Sequence, residues 1–407
     1  QSEASIIEAF VDKGAEMVDF VTAHTALTWR VSKMLGDYHP EWEGGVLNGR
    51  SIEPDLPGFL EFGPDLIDGL ANGFAAAGGE IMLNSPALSL ITRLLDSGVQ
   101  EILGLKVKSG DKVINVKANK AVILTAGGFD WDFEMKRHFL RGPSKYTLGH
   151  QGNTGDGVKM AMAVGVGLRN MNEVWGATVF KEDAETLTNA GSRPGLNAMI
   201  QRRMPGCITV NRYGKRFANE ASDYDSAWRT FFAWENFGEV KCRNVPAYQI
   251  SDSGLKPTAS TGVKQAQTIR ELAEALGIDP DGLEATVTSF NDNVKNTGKD
   301  PEFHRGDSAY ELEYGQTLGA LEKAPFYGVE VAPADLGTCG GVMVNANAQA
   351  LNPYGVVVPR LYAAGNNAGI GGPGAGYGGG GGTIGPAMVF AYIAGMHAAR
   401  LEPQTDE

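Results

Sequence analysis

GNNAGIGGPGAGYGGGGGTIG, residues 365–385, places twelve glycines in twenty-one positions and runs directly into PAMVFAYIAGMHAAR, residues 386–400. Glycine lacks the Cβ that keeps a backbone from close approach. A glycine run that opens a helix brings backbone N–H groups against an anionic or polar ligand. The run therefore predicts that something flat or phosphorylated lies on this backbone. A flexible linker would carry Ser and charge, whereas this run sits between the apolar strand LYAAG (361–365) and an apolar helix. Tyr377 stands alone inside it, where nothing structural asks for an aromatic ring.

The chain has 407 residues, which suggests two or three domains. Glycine accounts for 55 of them, close to twice the usual share, and the excess is clustered, as in ligand-cradling loops rather than disorder. The net charge of −13 argues against binding a nucleic-acid backbone, and there is no polybasic run for a membrane surface. The cysteines Cys207, Cys242 and Cys339 have neither metal-ligand nor CxxC spacing, so no metal is expected. Reduced thiols in a cytoplasmic protein are the default expectation. No secretory leader and no run of 18 apolar residues is visible.

Hydrophobic spacing predicts a helix over 3–29 and another over 65–78. Three strand-like runs follow within 98–129, the last being AVILTAGG (121–128), which reads as a fully buried parallel strand. NTGDGVKMAMAVG (153–165) is a Gly-rich loop opening a helix. Two helices with capping-type starts lie in IRELAEALG and DGLEATVTSFNDNV. The chain is richer in aromatics, Arg and Asn from about 185 to 338. The fold class expected is α/β: one Rossmann-like domain in two pieces, 1–184 and 339–407, interrupted by an α+β catalytic domain at 185–338.

Four segments share a pattern. AVILTAGGFDWD (121–132), TGDG (154–157), PRLYAAGN (359–366) and TIGPAM (383–388) resemble the large flavoprotein family that includes the fumarate reductase flavoproteins. Within it the chain resembles the 3-ketosteroid Δ1-dehydrogenases. The matching segments are DYHPEWEGGVLNGRSIEP (37–54), VNRYGKRFANEASDYD (210–225), APADLGTCGGVMVNANAQAL (332–351) and YGGGGGTIGPAM (377–388). The resemblance covers nearly the whole chain. It implies FAD as cofactor, a steroid-like substrate and a quinone-type electron acceptor. The family's G-x-G-x-x-G turn for the FAD pyrophosphate does not occur in this sequence. The chain begins QSEASIIEAF, at a point corresponding to well inside the family's chain, so the expectation is a second polypeptide supplying that segment, or a clipped or trimmed chain.

The resemblance also assigns residues. Tyr377 and Gly381 match the pair whose hydroxyl and backbone N–H hold the substrate's C3 carbonyl oxygen. Tyr224 matches the base that takes the C2 proton, and Tyr38 the tyrosine hydrogen-bonded to it. A free phenol titrates near pH 10, so a tyrosinate base needs help, and a tyrosine pair is one way to supply it. Cofactor contacts fall on Ala126, Gly127, Gly128, Asn153, Asp156, Gly365, Asn366, Gly382, Thr383 and Ile384. The N-terminus of the helix opening at TIGPAM would face the pyrimidine end of the flavin, where a helix dipole favours negative charge.

Trp228, Phe231, Phe232 and Trp234 are either core or the wall of a steroid-sized pocket, and His39 is a surface or pocket-lining histidine. The alternative function is a fumarate- or enoate-reductase type flavoprotein, for which Arg202, Arg203 and Arg229 could clamp carboxylates. A third reading is a subunit that cannot hold FAD alone.

Overall fold

A computed structural model describes residues 3–32, 36–55, 62–142, 144–313, 315–370 and 376–404. Residues 371–375 of the glycine run lie outside it. The first helix is Ala4–His24, with Ile6, Met17 and Val21 as its buried positions. It packs against the apolar helix Ile384–Ala399. The second helix is Phe62–Ala76.

An antiparallel meander follows, made of Ala87–Leu94, Gln100–Ser109 and Lys112–Lys117. The next strand, Val122–Leu124, pairs in parallel with Val357–Ala363, which pairs antiparallel with Gln349–Leu351. The sequence reading of a fully buried strand is corrected here. Val122–Leu124 forms one side of a three-stranded sheet, and Ile123 is 37% exposed. Its parallel pairing stands, and both parallel strands end at the same edge of the sheet, the place where ligands of such sheets lie.

A second, six-stranded sheet is built on the long strand Phe326–Thr338. Its first half pairs with Ala247–Ser251, which continues to Cys207–Asn211. Its second half pairs with Val174–Phe180, with an irregularity between Asp335 and Gly337. This sheet thus draws strands from both sides of residue 185. Helices Ile269–Leu276 and Pro280–Thr297 pack on each other. The first begins with a capping box, Thr268 and Glu271, which satisfies two orphan backbone donors reciprocally.

One hydrophobic core joins Ile6, Ile102 and Val122 to Val342, Tyr362 and Phe390, so both ends of the chain share it. A separate core holds Ile208, Ile250, Leu272, Leu283 and Phe326.

Candidate active site

The glycine run is held by the segment that carries Tyr38. The Tyr38 N–H donates to the Gly378 carbonyl at 2.9 Å, and the Gly380 N–H to the Gly36 carbonyl at 3.4 Å. The Ser51 hydroxyl donates to the Gly380 carbonyl at 2.8 Å. A Cβ on Gly379 would stand 2.9 Å from the Gly36 carbonyl oxygen, so this approach needs a residue without a side chain.

The docking brings three sequence-predicted tyrosines together. The Tyr38 ring centroid lies 5.6 Å from that of Tyr224 and 5.5 Å from that of Tyr377, and Tyr224 and Tyr377 are 5.3 Å apart. Tyr224 opens the short helix Tyr224–Arg229, capped by Asp223. Tyr38 is buried, and the other two are half-buried. The Tyr377 ring folds back over the loop, with its Cζ 3.4 Å from where a Cβ on Gly382 would stand. Gly381 has φ +82°, and a Cβ there would meet open space. No described residue accepts a hydrogen bond from its N–H. A hydroxyl and a backbone N–H are the donor types that a carbonyl or oxyanion takes, and Tyr377 and Gly381 carry them on one loop.

Burial, then the neighbouring phenols of Tyr38 and Tyr377 and hydrogen bonds to both, push the Tyr224 phenol well above its ordinary value. The expected help from the tyrosine pair therefore runs the other way in this arrangement. Neutral phenols in a buried cluster bring no positive charge, and burial penalises the phenolate.

The second part of the site lies where the two parallel strands end. Loops 125–128 and 364–367 run side by side, with the Ala364 N–H donating to the Leu124 carbonyl at 3.1 Å and the Ala126 N–H to Asn367 Oδ1 at 3.0 Å. The glycines here are required by neighbours. A Cβ on Gly127, which has φ +77°, would stand 2.2 Å from Asn153 Oδ1, and one on Gly128 would stand 2.1 Å from Thr338 Oγ1. The Gly155 N–H donates to the Gly128 carbonyl at 3.0 Å, fixing the loop before helix Asp156–Ala163 against this edge. Gly365 has φ +63°, and a Cβ on it would lie 3.5 Å from that of Ala387, which ties this edge to the helix following the tyrosine loop.

The cofactor residues expected from sequence separate into two sets. Ala126, Gly127, Gly128, Asn153, Gly365 and Asn366 gather at the strand ends. Gly382, Thr383 and Ile384 form the turn into helix Ile384–Ala399, where Ile384 is 55% exposed. Asp156 is exposed, and its carboxylate accepts from the Thr154 hydroxyl at 3.1 Å. Ala126 is exposed, and Gly127, Gly128 and Gly365 beside it carry no side chain, which fits a flat cofactor laid across the edge.

Other candidates are used elsewhere. Arg202 donates to the carbonyls of Glu220 and Ser222, and Arg229 pairs with Glu173 at 2.8 Å and Asp225 at 3.1 Å. Both guanidinium groups are thus engaged by the protein itself, and neither fits a carboxylate clamp. Trp228 and Phe231 are core at 3% exposed each, while Trp234 is 64% exposed. Sequence reasoning missed two neighbours of the tyrosines, Tyr310 and Trp175, and named a third, Arg203, only as a carboxylate clamp. Tyr310 packs against Tyr38 with ring centroids 4.8 Å apart and planes tilted by 46°, Arg203 lies over the Tyr310 ring at 5.3 Å, and Trp175 meets Tyr377 edge-on at 6.5 Å. None sits in a local motif, so only the tertiary packing identifies them.

Known proteins resemble this chain over nearly its whole length. A 3-oxosteroid 1-dehydrogenase of Mycobacterium tuberculosis (strain ATCC 25618 / H37Rv) is 31% identical over 98% of this chain and 84% of its own length. A 4-oxocyclohexanecarboxylate 2-dehydrogenase of Sinomonas cyclohexanicum is 28% identical over 98% of this chain and 79% of its own. Among solved structures, the 3-ketosteroid Δ1-dehydrogenase of Sterolibacterium denitrificans in complex with 1,4-androstadiene-3,17-dione superimposes with a TM-score of 0.84 at 25% identity, covering 97% of this chain and 85% of that one. The family described as FAD binding domain matches residues 1–384. The chain belongs to this FAD-binding family and is an FAD-dependent oxidoreductase.

Proposed function

We propose that this chain desaturates the C1–C2 bond of 3-ketosteroids. The observation that carries the reading is the convergence of Tyr38, Tyr224 and Tyr377, with Gly381 on the same loop as Tyr377. Tyr377 and Gly381 donate to the substrate's C3 oxygen. That draws electron density from C2 and acidifies its protons, because the charge developing on oxygen is met by preorganised donors. Tyr224, once it has given up its phenol proton to solvent, accepts the C2 proton as phenolate, and Tyr38 orients it by hydrogen bonding. When bound, FAD supplies the hydride acceptor for C1. Loops 125–128 and 364–367 and the turn 382–384 would hold it. The electrons leave to a quinone-type acceptor. The six-stranded sheet and its helices, with 185–338 as their main part, cap the substrate.

The test is turnover of a 3-keto-4-ene steroid by the FAD-loaded protein with a quinone acceptor. The expected product is two mass units lighter and desaturated at C1–C2. Dicarboxylate reduction without steroid turnover would refute this reading in favour of a fumarate-reductase type. Flavin retention is read in the same preparation. A yellow protein holds FAD by itself, and flavin gained only with a second polypeptide carrying G-x-G-x-x-G shows a shared site.

A further inference from the structure

The residues next to the two proton-handling tyrosines also meet across the same seam. His39 follows Tyr38, and Asp223 precedes Tyr224. His39 Nε2 lies 3.7 Å from Asp223 Oδ2, and Nδ1 lies 3.1 Å from Glu41 Oε1. The ring stacks on Trp42 at 4.2 Å with 9° between planes, which fixes its orientation. Asp223 is 2% exposed, and its Oδ1 accepts the Ser226 N–H at 2.9 Å, capping helix Tyr224–Arg229.

A buried carboxylate needs a counter-charge or hydrogen-bond donors for both oxygens. The groups around Asp223 are Arg202, Tyr310, Asp225 and His39. Arg202 gives its N–H groups to the Glu220 and Ser222 carbonyls. Asp225 is itself a carboxylate, bonded to the Gly176 N–H at 2.8 Å and to Arg229. The imidazole brings Nε2 to 3.7 Å from Oδ2. Both of its nitrogens face carboxylate oxygens.

We propose that His39 is a positioning residue: it holds Asp223, and through that cap it fixes the first turn of helix Tyr224–Arg229 so that Tyr224 meets Tyr38 and the substrate's α-carbon. The inference rests on the dehydrogenase reading.

The test uses His39→Ala, His39→Gln, His39→Lys and Asp223→Asn in the FAD-loaded enzyme. His39→Ala and His39→Gln should lower kcat about tenfold, with KM within about twofold, since a small misplacement of a proton acceptor costs rate more than binding. Loss of deuterium from C2 of labelled substrate should slow in parallel. His39→Lys, which directs an ammonium at Asp223, should recover most of the loss. His39→Gln combined with Asp223→Asn should be no worse than Asp223→Asn alone. A His39→Gln enzyme with unchanged kcat overturns the proposal. So does an equal loss in all three His39 variants accompanied by raised KM and a lower melting temperature, which marks a structural role only.

If the unaltered protein turns over no steroid, the dehydrogenase reading falls first. The latch is then judged separately by hydrogen exchange of the peptide spanning 222–229. Faster exchange in His39→Ala with protection kept in His39→Lys supports it, and unchanged exchange in His39→Ala overturns it.

Discussion

Tyr377 needs its glycine surroundings to work. Its ring lies over Gly382, and the loop's approach to Gly36 leaves no room for a Cβ at Gly379. Tyr377→Phe keeps the packing and removes one donor. The expected outcome is a fall in kcat of roughly 10²–10³-fold, the usual cost of losing one oxyanion donor, with the bound-flavin spectrum unchanged. Tyr224→Phe should cost roughly 10²–10⁴-fold through loss of the proton acceptor. Because the Tyr224 phenol sits above its ordinary value, the fraction able to accept a proton grows with pH. In the unaltered enzyme kcat/KM should therefore climb through the alkaline range, and a profile flat from pH 7 to 10 would count against Tyr224 as base. Tyr377 was legible in the sequence because an aromatic residue amid glycines has no packing reason, and Tyr224 because its flanking segment matches a family motif. Tyr310 was not legible, and Arg203 was read only as a carboxylate clamp, since both reach the cluster through packing.

At the scale of elements, the strand-end loops rest on a buried charge cluster. Asp130 and Asp335 are both fully buried, and Lys136 on helix Phe133–Phe139 pairs with Asp335 at 2.7 Å. Asp130 Oδ2 accepts from Thr147 and from Asn153 Nδ2, each at 3.3 Å, so the side chain that meets Gly127 is tied to this carboxyl. Burial, then the charge of Asp335, pushes the Asp130 carboxyl up to about 7. A raised carboxyl keeps its proton in the folded state after the unfolded chain has lost it. Its stabilising contribution is therefore complete below the ordinary carboxyl range near pH 4 and is lost as pH rises through about 7. Asp130→Asn cannot ionise, so its melting temperature should fall less than that of the unaltered protein between pH 5 and pH 8. An identical fall in both would remove Asp130 from the cause. Lys136→Met leaves Asp335 buried without its cation and should cost about 3–5 kcal/mol in a denaturant titration. The strand before these loops was legible from its apolar run and paired glycines. Its edge position was not, because hydrophobicity does not show how many neighbours a strand has. The cluster was invisible because Asp130, Lys136 and Asp335 come together only through the tertiary fold.

At the scale of the whole molecule, the site lies where separately built parts meet. One core gathers both ends of the chain and carries the strand-end loops and the helix after the glycine run. The other lies under the sheet that includes Cys207–Asn211. Tyr224 follows that strand in sequence, and Tyr38 and Tyr377 come from the opposite ends of the chain. The fold class was legible because glycine clusters and apolar runs mark an α/β unit. The sharing of the six-stranded sheet across residue 185 was not, because strand Val174–Phe180 finds its partner only at Phe326–Thr338. The most direct measurement compares the FAD-loaded protein with its Tyr377→Phe variant at equal flavin content, acting on a 3-keto-4-ene steroid with a quinone acceptor. The tyrosine–glycine clamp predicts a C1–C2 desaturated product and a rate at least about a hundredfold lower in the variant. No desaturation by the unaltered protein, or equal rates in the two, would contradict it.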